Sequence, residues 1–174
     1  QERRVAIEGP AGTLGASLIL PEGSGPFPGV VFLHGSGPQP RDASRWAAQA
    51  LAEHGIASLI YDKRGVGESE GDFIGASLED LARDGIAAAE YLLKVSSVEA
   101  VGFAGHSQGG WVGPLAASLD DGIRYVIVSR AAAVGPERLS SMISRGSFHG
   151  IFVSAVSLAS TGTVICSRTR ARRA

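Results

Sequence analysis

Hydrophobic positions in this chain fall into short runs punctuated by glycine-rich turns. Val5 to Ile7 and Leu14 to Leu20 are two extended stretches split by Gly9-Pro10 and Gly12, which predicts a hairpin. Gly29-Val30-Val31-Phe32-Leu33 is a continuous apolar run with Pro28 in front and a glycine-rich turn behind, the pattern of a buried parallel strand. Ala43 to His54 then sets Trp46, Ala47, Ala50 and Leu51 on one helical face ahead of Gly55, a residue suited to the position just past a helix end. Ile56 to Tyr61 is the next predicted strand. Ser77, with Asp80 three positions on, is an N-cap signal for a helix whose stripe is Leu78, Leu81, Ala82, Gly85, Ala89, Leu92 and Leu93. Ala100 to Ala104 and Tyr125 to Val128 are two further buried strands, separated by a small-residue helix from about Gln108 to Leu119. Strands alternating with helices over this length predict parallel βαβ units with helices on both sheet faces, a three-layer α/β architecture without internal repeats.

Charge divides the chain in two. All 17 acids lie at or before Glu137: residues 1 to 137 carry 10 Lys+Arg, a net of −7, and residues 138 to 174 carry six Arg and no acid, a net of +6. The second stretch has eight Ser in 37 residues, with neither helical periodicity nor strand alternation at useful length, so residues 1–137 are expected to form the folded part and 138–174 an atypical tail. On this reading the sheet ends at the strand Tyr125 to Val128. Gly150 to Ser167 is uncharged and followed by four Arg, superficially a membrane span, but six of its positions are Ser or Thr, which argues against one. A formal charge of −1 over 174 residues sets up no phosphate-binding field, so nucleic acid is not an expected partner. Cys166 is the single cysteine, which excludes an intrachain disulfide and a cysteine-built zinc site. No metal or cofactor is expected. The opening residues, Gln1 to Ile7, hold no apolar signal-peptide core and read as a processed or cut end.

The chemistry sits at strand ends. Gly105-His106-Ser107-Gln108-Gly109 matches G-x-S-x-G just where a buried strand stops and a helix starts. The motif arises readily by chance in a chain rich in Gly and Ser, so this strand-turn-helix context carries the inference. A Ser at so sharp a turn takes a positive φ, and Gly105 and Gly109 are needed because a Cβ there would collide. The alternative is a glycine-rich helix start with Ser107 as an ordinary cap. A second site, His34-Gly35-Ser36-Gly37, follows an earlier strand at the same carboxyl edge of the sheet, where ligand sites gather. Acyl transfer by Ser107 needs two N–H groups aimed at the oxyanion; Gln108 and Ser36 are the candidates, with Gly35 and Gly37 letting the backbone approach. His34 is expected to shape its loop by satisfying carbonyls rather than to move protons.

Together, HGSG at His34 to Gly37, YDKRGVGES at Tyr61 to Ser69 and GHSQGG at Gly105 to Gly110 resemble the α/β-hydrolase superfamily, and within it bacterial esterases grouped with serine-aminopeptidase-like hydrolases. Gly71-Asp72-Phe73 is similar to that group as well, and the resemblance spans about residues 5 to 137. It implies a small-molecule ester or amide substrate and a triad in the order Ser, acid, His. Asp62 and Arg64 match the family's post-strand loop, where they read as a charged pair stabilising a turn. Only His149 follows Ser107 among histidines, 42 positions on and within the tail; Glu137 is the one acid placed where some members keep theirs. His54 sits at a helix end and His106 is held beside the nucleophile. The expectation is therefore the amino-terminal part of a carboxylic-ester hydrolase, with carboxyl-terminal strands, acid and base missing and activity weak or absent. A non-catalytic module with a hydrolase-like pocket and an aminopeptidase-like amide hydrolase are the rival readings.

Overall fold

The structure is a computed structural model that describes residues 1–129, 151–152 and 163–168. Strands β1 (Glu2–Gly9) and β2 (Gly12–Ile19) form the predicted hairpin, in register from Glu2 against Ile19 to Gly9 against Gly12. After them come β3 (Phe27–Leu33), a 3-10 turn (Arg41–Ser44), α1 (Arg45–Glu53), β4 (Ala57–Tyr61) and α2 (Leu78–Leu93). The described chain continues through β5 (Val98–His106), α3 (Gly109–Leu119), β6 (Ile123–Ser129), β7 (Ile151–Phe152) and β8 (Thr163–Arg168). They build one sheet in the order β1-β2-β4-β3-β5-β6-β8-β7, whose central strands β4, β3, β5 and β6 are parallel. β2 joins this core antiparallel through β4.

Alternation along the strands produces the layers, because neighbouring side chains point to opposite faces. Leu18, Leu59, Val31, Val101, Phe103 and Val126 belong to a core shared with Leu81, Ala88 and Leu92 of α2 and Val112 and Ala116 of α3. Ile19, Ile60 and Phe32 point the other way, against Ala48 and Ala52 of α1. The helix Leu78–Leu93 begins at Ser77 with a complete capping box, Asp80 N–H to Ser77 Oγ at 3.1 Å and Ser77 N–H to Asp80 Oδ2 at 2.9 Å. Its predicted stripe is buried at Leu81, Ala82, Gly85, Ala89 and Leu92, whereas Leu93 is exposed.

Two expectations are corrected. The apolar face of α1 is Ala48 with Ala52, and Trp46 is 74% exposed; small side chains let the helix lie close on β4 and β2, which rolls Trp46 outward. Nor does the sheet end at β6. Thr163–Arg168 pairs antiparallel with it, from Tyr125 opposite Ser167 to Ser129 opposite Thr163. The β-branched run Thr163-Val164-Ile165 suits a strand and was submerged by the Arg- and Ser-rich composition around it. That strand closes the uncharged stretch from Gly150 to Ser167, and no helix among the described residues is long and apolar enough to cross a membrane. The boundary at Glu137, and His149, lie outside the described residues.

Candidate active site

β5 delivers Ser107. At its end Ser107 adopts φ 53°, the one non-glycine residue with positive φ among the described residues. Its N–H donates to Ser129 O of β6 at 3.2 Å, and Gly110 N–H returns to Ser107 O at 2.9 Å, so strand turns into helix within one residue. The left-handed region costs an L-residue roughly 1–2 kcal/mol, a strain the surroundings must hold. They do so by close approach. A Cβ on Gly105 would stand 2.1 Å from Gly109 O, and one on Gly109 would stand 2.5 Å from Leu33 O and 2.9 Å from His34 O. The two glycines expected from the sequence are thus required by backbone, and the second seats α3 directly on the loop after β3.

That loop is organised from below. His34 Nε2 pairs with Tyr61 O at 2.6 Å, and its ring meets the Tyr61 ring edge-on at 4.6 Å between centroids. Burial lowers the imidazole from 6.5 to about 4, leaving it neutral with Nε2–H as the donor. His34 therefore ties the start of this loop to the end of β4. Gly35 N–H donates to Gln39 Oε1 at 2.9 Å, and Gly37 takes φ 82°. Gly37 is needed for that conformation; a Cβ on Gly35 would meet only the flexible Gln39 amide at 3.2 Å, so the expected steric role of Gly35 is slight. Ser36 is exposed between them. The Ser36 and Gln108 N–H groups donate to no described residue.

Lys63 ties the pieces together. Its Nζ donates to Gly35 O at 2.9 Å, Gly37 O at 3.2 Å and Gln108 Oε1 at 2.9 Å, and lies 5.8 Å from the centre of the Phe73 ring. Lys63 is 3% exposed, and burial lowers its pKa from the ordinary lysine value. The sequence reading passed over it. A signal was present: the chain has 14 Arg and only two Lys, and one of the two directly follows a buried strand and the acid Asp62.

Asp62 and Arg64 do not pair with each other, contrary to expectation. Asp62 accepts from Arg41 Nη2 at 2.7 Å and Nε at 3.2 Å, from Arg41 N–H at 2.7 Å and from Glu68 N–H at 3.0 Å. Burial pushes its carboxyl up, but these donors outweigh that and hold it below the usual carboxylate range. Arg64 reaches instead to α2, gripping both Asp84 oxygens at 2.7 and 2.8 Å and Asp80 O at 2.8 Å. Strand alternation would set Asp62 and Arg64 on one face, but β4 ends at Tyr61, and beyond it the two side chains reach partners on different elements.

His106 is exposed, with Nδ1 3.4 Å from Ser129 Oγ, and no described residue hydrogen-bonds the Ser107 hydroxyl. A cavity of about 450 Å³ lies beside the turn, lined by Phe32, Trp46, Ala104, Gly105, His106 and Ile127 among others. No group of three or more His, Cys, Asp or Glu among the described residues is disposed to hold a metal ion.

The chain is similar in sequence and in shape to known proteins. The family model for serine aminopeptidase, S33, matches residues 26–164. Esterase EstD of Thermotoga maritima is 31% identical over 121 residues, covering 66% of this chain and 28% of that protein. An α/β serine hydrolase without lid from Xanthomonas campestris superposes with a TM-score of 0.59 at 27% identity, covering 68% of this chain and 56% of that one. Est1E of Butyrivibrio proteoclasticus, solved with ferulic acid bound, gives a TM-score of 0.60 at 30% identity, covering 69% and 49%. The chain thus spans between about a quarter and just over half of the length of these relatives.

Proposed function

Because the chain belongs to the serine aminopeptidase, S33, family of α/β-hydrolases, we propose that it is a serine hydrolase acting on carboxylic esters through an acyl-enzyme at Ser107. The observation that carries this reading is the left-handed Ser107 between β5 and α3, a strained conformation that an ordinary cap has no need of. Ser107 Oγ attacks the ester carbonyl carbon and the carbonyl oxygen becomes an oxyanion. The N–H groups of Ser36 and Gln108 receive it. The tetrahedral carbon collapses, the C–O bond to the alcohol breaks, and the alcohol leaves with a proton; water then attacks the acyl-Ser107 ester and releases the acid.

Esters are favoured over amides by the leaving group. An alkoxide, above all an aryl oxide, departs with little help from an acid, whereas an amine must be protonated as it leaves. Two relatives point the same way: one is named an esterase, and another holds an aromatic carboxylic acid. No described residue hydrogen-bonds the Ser107 hydroxyl, and a hydroxyl without an activating base is a weak nucleophile, so turnover by this chain is expected to be slow. Labelling with a fluorophosphonate and hydrolysis of short-chain p-nitrophenyl esters test the proposal, with Ser107→Ala as the control. Both reactions should require Ser107. A chain that takes no label, or takes the same label after Ser107→Ala, is a binding module instead.

A further inference from the structure

We propose that Lys63 is the positioning residue of this site: its ammonium straps the loop after β3 to the turn after β5, and so aims and strengthens the two N–H groups that receive the oxyanion. The inference rests on the ester-hydrolase reading of Ser107. It starts from a count of donors and acceptors. An ammonium has three N–H bonds. Lys63 spends all three, on Gly35 O, Gly37 O and Gln108 Oε1, and each acceptor is neutral. The neighbouring carboxylate of Asp62 is engaged by Arg41 and by backbone N–H groups. A buried cation without a carboxylate partner is costly, so stability alone does not account for it.

The peptide geometry says what it does. Gly35 O and Ser36 N–H belong to one peptide unit, and that unit is trans, since Gly25-Pro26 is the one cis bond among the described residues. In a trans peptide the C=O and N–H point in opposite directions. Holding Gly35 O toward Lys63 therefore turns Ser36 N–H away from it, toward the exposed side of the loop. The charge also polarises the peptide, drawing electrons to the oxygen and making the N–H a stronger donor, as hydrogen bonds in a chain strengthen one another. The third bond acts across the site. Gln108 carries the other candidate N–H, and its side chain is held by the same ammonium that holds the loop. One charge thereby sets the spacing of two donors that come from different strands. The contact of Gly109 with Leu33 O and His34 O fixes the same spacing from the backbone side.

The test uses the whole chain and a fluorophosphonate, whose phosphoryl oxygen takes the place of the oxyanion. Labelling rates at several probe concentrations separate binding from the phosphonylation step. Lys63→Met should slow phosphonylation about tenfold or more while leaving probe affinity within about twofold, a smaller loss than the ~10²–10³ that follows outright removal of an oxyanion donor. Gln108→Leu, which cuts the strap at its other end, should slow it too. The double variant should be slower by less than the product of the two single losses, because both cut one strap. Amide hydrogen exchange, read on the same proteins, should quicken at residues 35–37 in Lys63→Met and not along β5 or α2. Should Lys63→Met fail to fold, Gln108→Leu gives the same readings alone. Wild-type labelling rates in folded Lys63→Met, unchanged exchange at residues 35–37, or losses in the two variants that simply multiply would each overturn the role of Lys63. Absence of labelling in the wild type would instead strike the hydrolase reading, and exchange would then judge the strap alone.

Discussion

His34 should make this fold sensitive to mild acid. His34 borders a space of only about 10 Å³ lined also by Leu33, Tyr61, Lys63, Leu81, Asp84 and Val112, and its Nε2–H is committed to Tyr61 O. Burial lowers its pKa from 6.5 to about 4. In the unfolded chain the ring takes up a proton as the pH falls through about 6.5; in the folded chain it stays neutral until about 4. The unfolded state thus binds the extra proton across that window, and stability falls with falling pH. One titrating group shifted by this much loses on the order of 2 kcal/mol between pH 7 and pH 5, and on the order of 3 kcal/mol by pH 4. Below about 4 the His34 contribution levels off, and Asp62, whose carboxyl is held low by Arg41, begins to lose its own. Urea unfolding followed by circular dichroism at a series of pH values measures the slope. His34→Leu is the comparison: it should be less stable at neutral pH, by roughly 1–3 kcal/mol for a buried carbonyl left without its donor, and flatter between pH about 6.5 and 4. An equal slope in His34→Leu and wild type would refute the assignment, as would a wild type whose stability is level from pH 7 to 5.

Three other outcomes follow from the packing. Ser107→Gly should raise unfolding stability by roughly 1 kcal/mol, since glycine accepts φ 53° without the left-handed penalty, while abolishing fluorophosphonate labelling; a loss of stability would deny the strain. Asp84→Ala should cost about 3–5 kcal/mol in urea unfolding because it leaves the Arg64 guanidinium buried and unpaired, and Arg64→Met combined with Asp84→Leu should recover most of it; a single variant no weaker than the pair removed together would contradict this. Gly109→Ala should lower the melting temperature, by an amount corresponding to about 1–3 kcal/mol, and slow labelling of Ser107, because the added Cβ forces the start of α3 away from Leu33 O; calorimetry and labelling rates check both.

Features with a local cause were legible in the sequence. The hairpin, the helix begun by Ser77 and Asp80, the parallel strand Phe27–Leu33 and the turn at Ser107 each depend on residues within a few positions of one another. Partners chosen in three dimensions were not. Asp62 and Arg64, two positions apart, suggested a pair; Arg41 lies 21 residues from the first and Asp84 lies 20 from the second, and nothing in the local pattern links them. Trp46 misled for a related reason. A large apolar side chain outweighs alanine in any periodicity, yet the sheet beneath α1 already presents Ile19, Ile60 and Phe32 and has room only for Ala48 and Ala52. The strand Thr163–Arg168 was hidden by averaging composition over a long window, in which six Arg and eight Ser overwhelm a short β-branched run.

The described half of the site holds itself in shape. Three loops meet there, after β3, β4 and β5, and each pair of them has its own bond. His34 Nε2–H to Tyr61 O joins the first to the end of β4; Lys63 joins the second to both others; and Gly109 lies in backbone contact with Leu33 and His34. Beneath them Arg41 and Arg64 hold the β4 loop to the 3-10 turn and to α2 through buried carboxylates. Rigid donors matter most when charge develops and no solvent can rearrange in time. In the proposed reading the Ser36 and Gln108 N–H groups are positioned by these described contacts, together with the main-chain oxygen of Ser129 at the end of β6, which receives the Ser107 N–H. Proton transfer is a separate task, and no described residue hydrogen-bonds the Ser107 hydroxyl. In this architecture the first task can therefore be preorganised whether or not the second is performed, which is why Ser107 labelling, rather than ester turnover, is the more direct readout of the described residues.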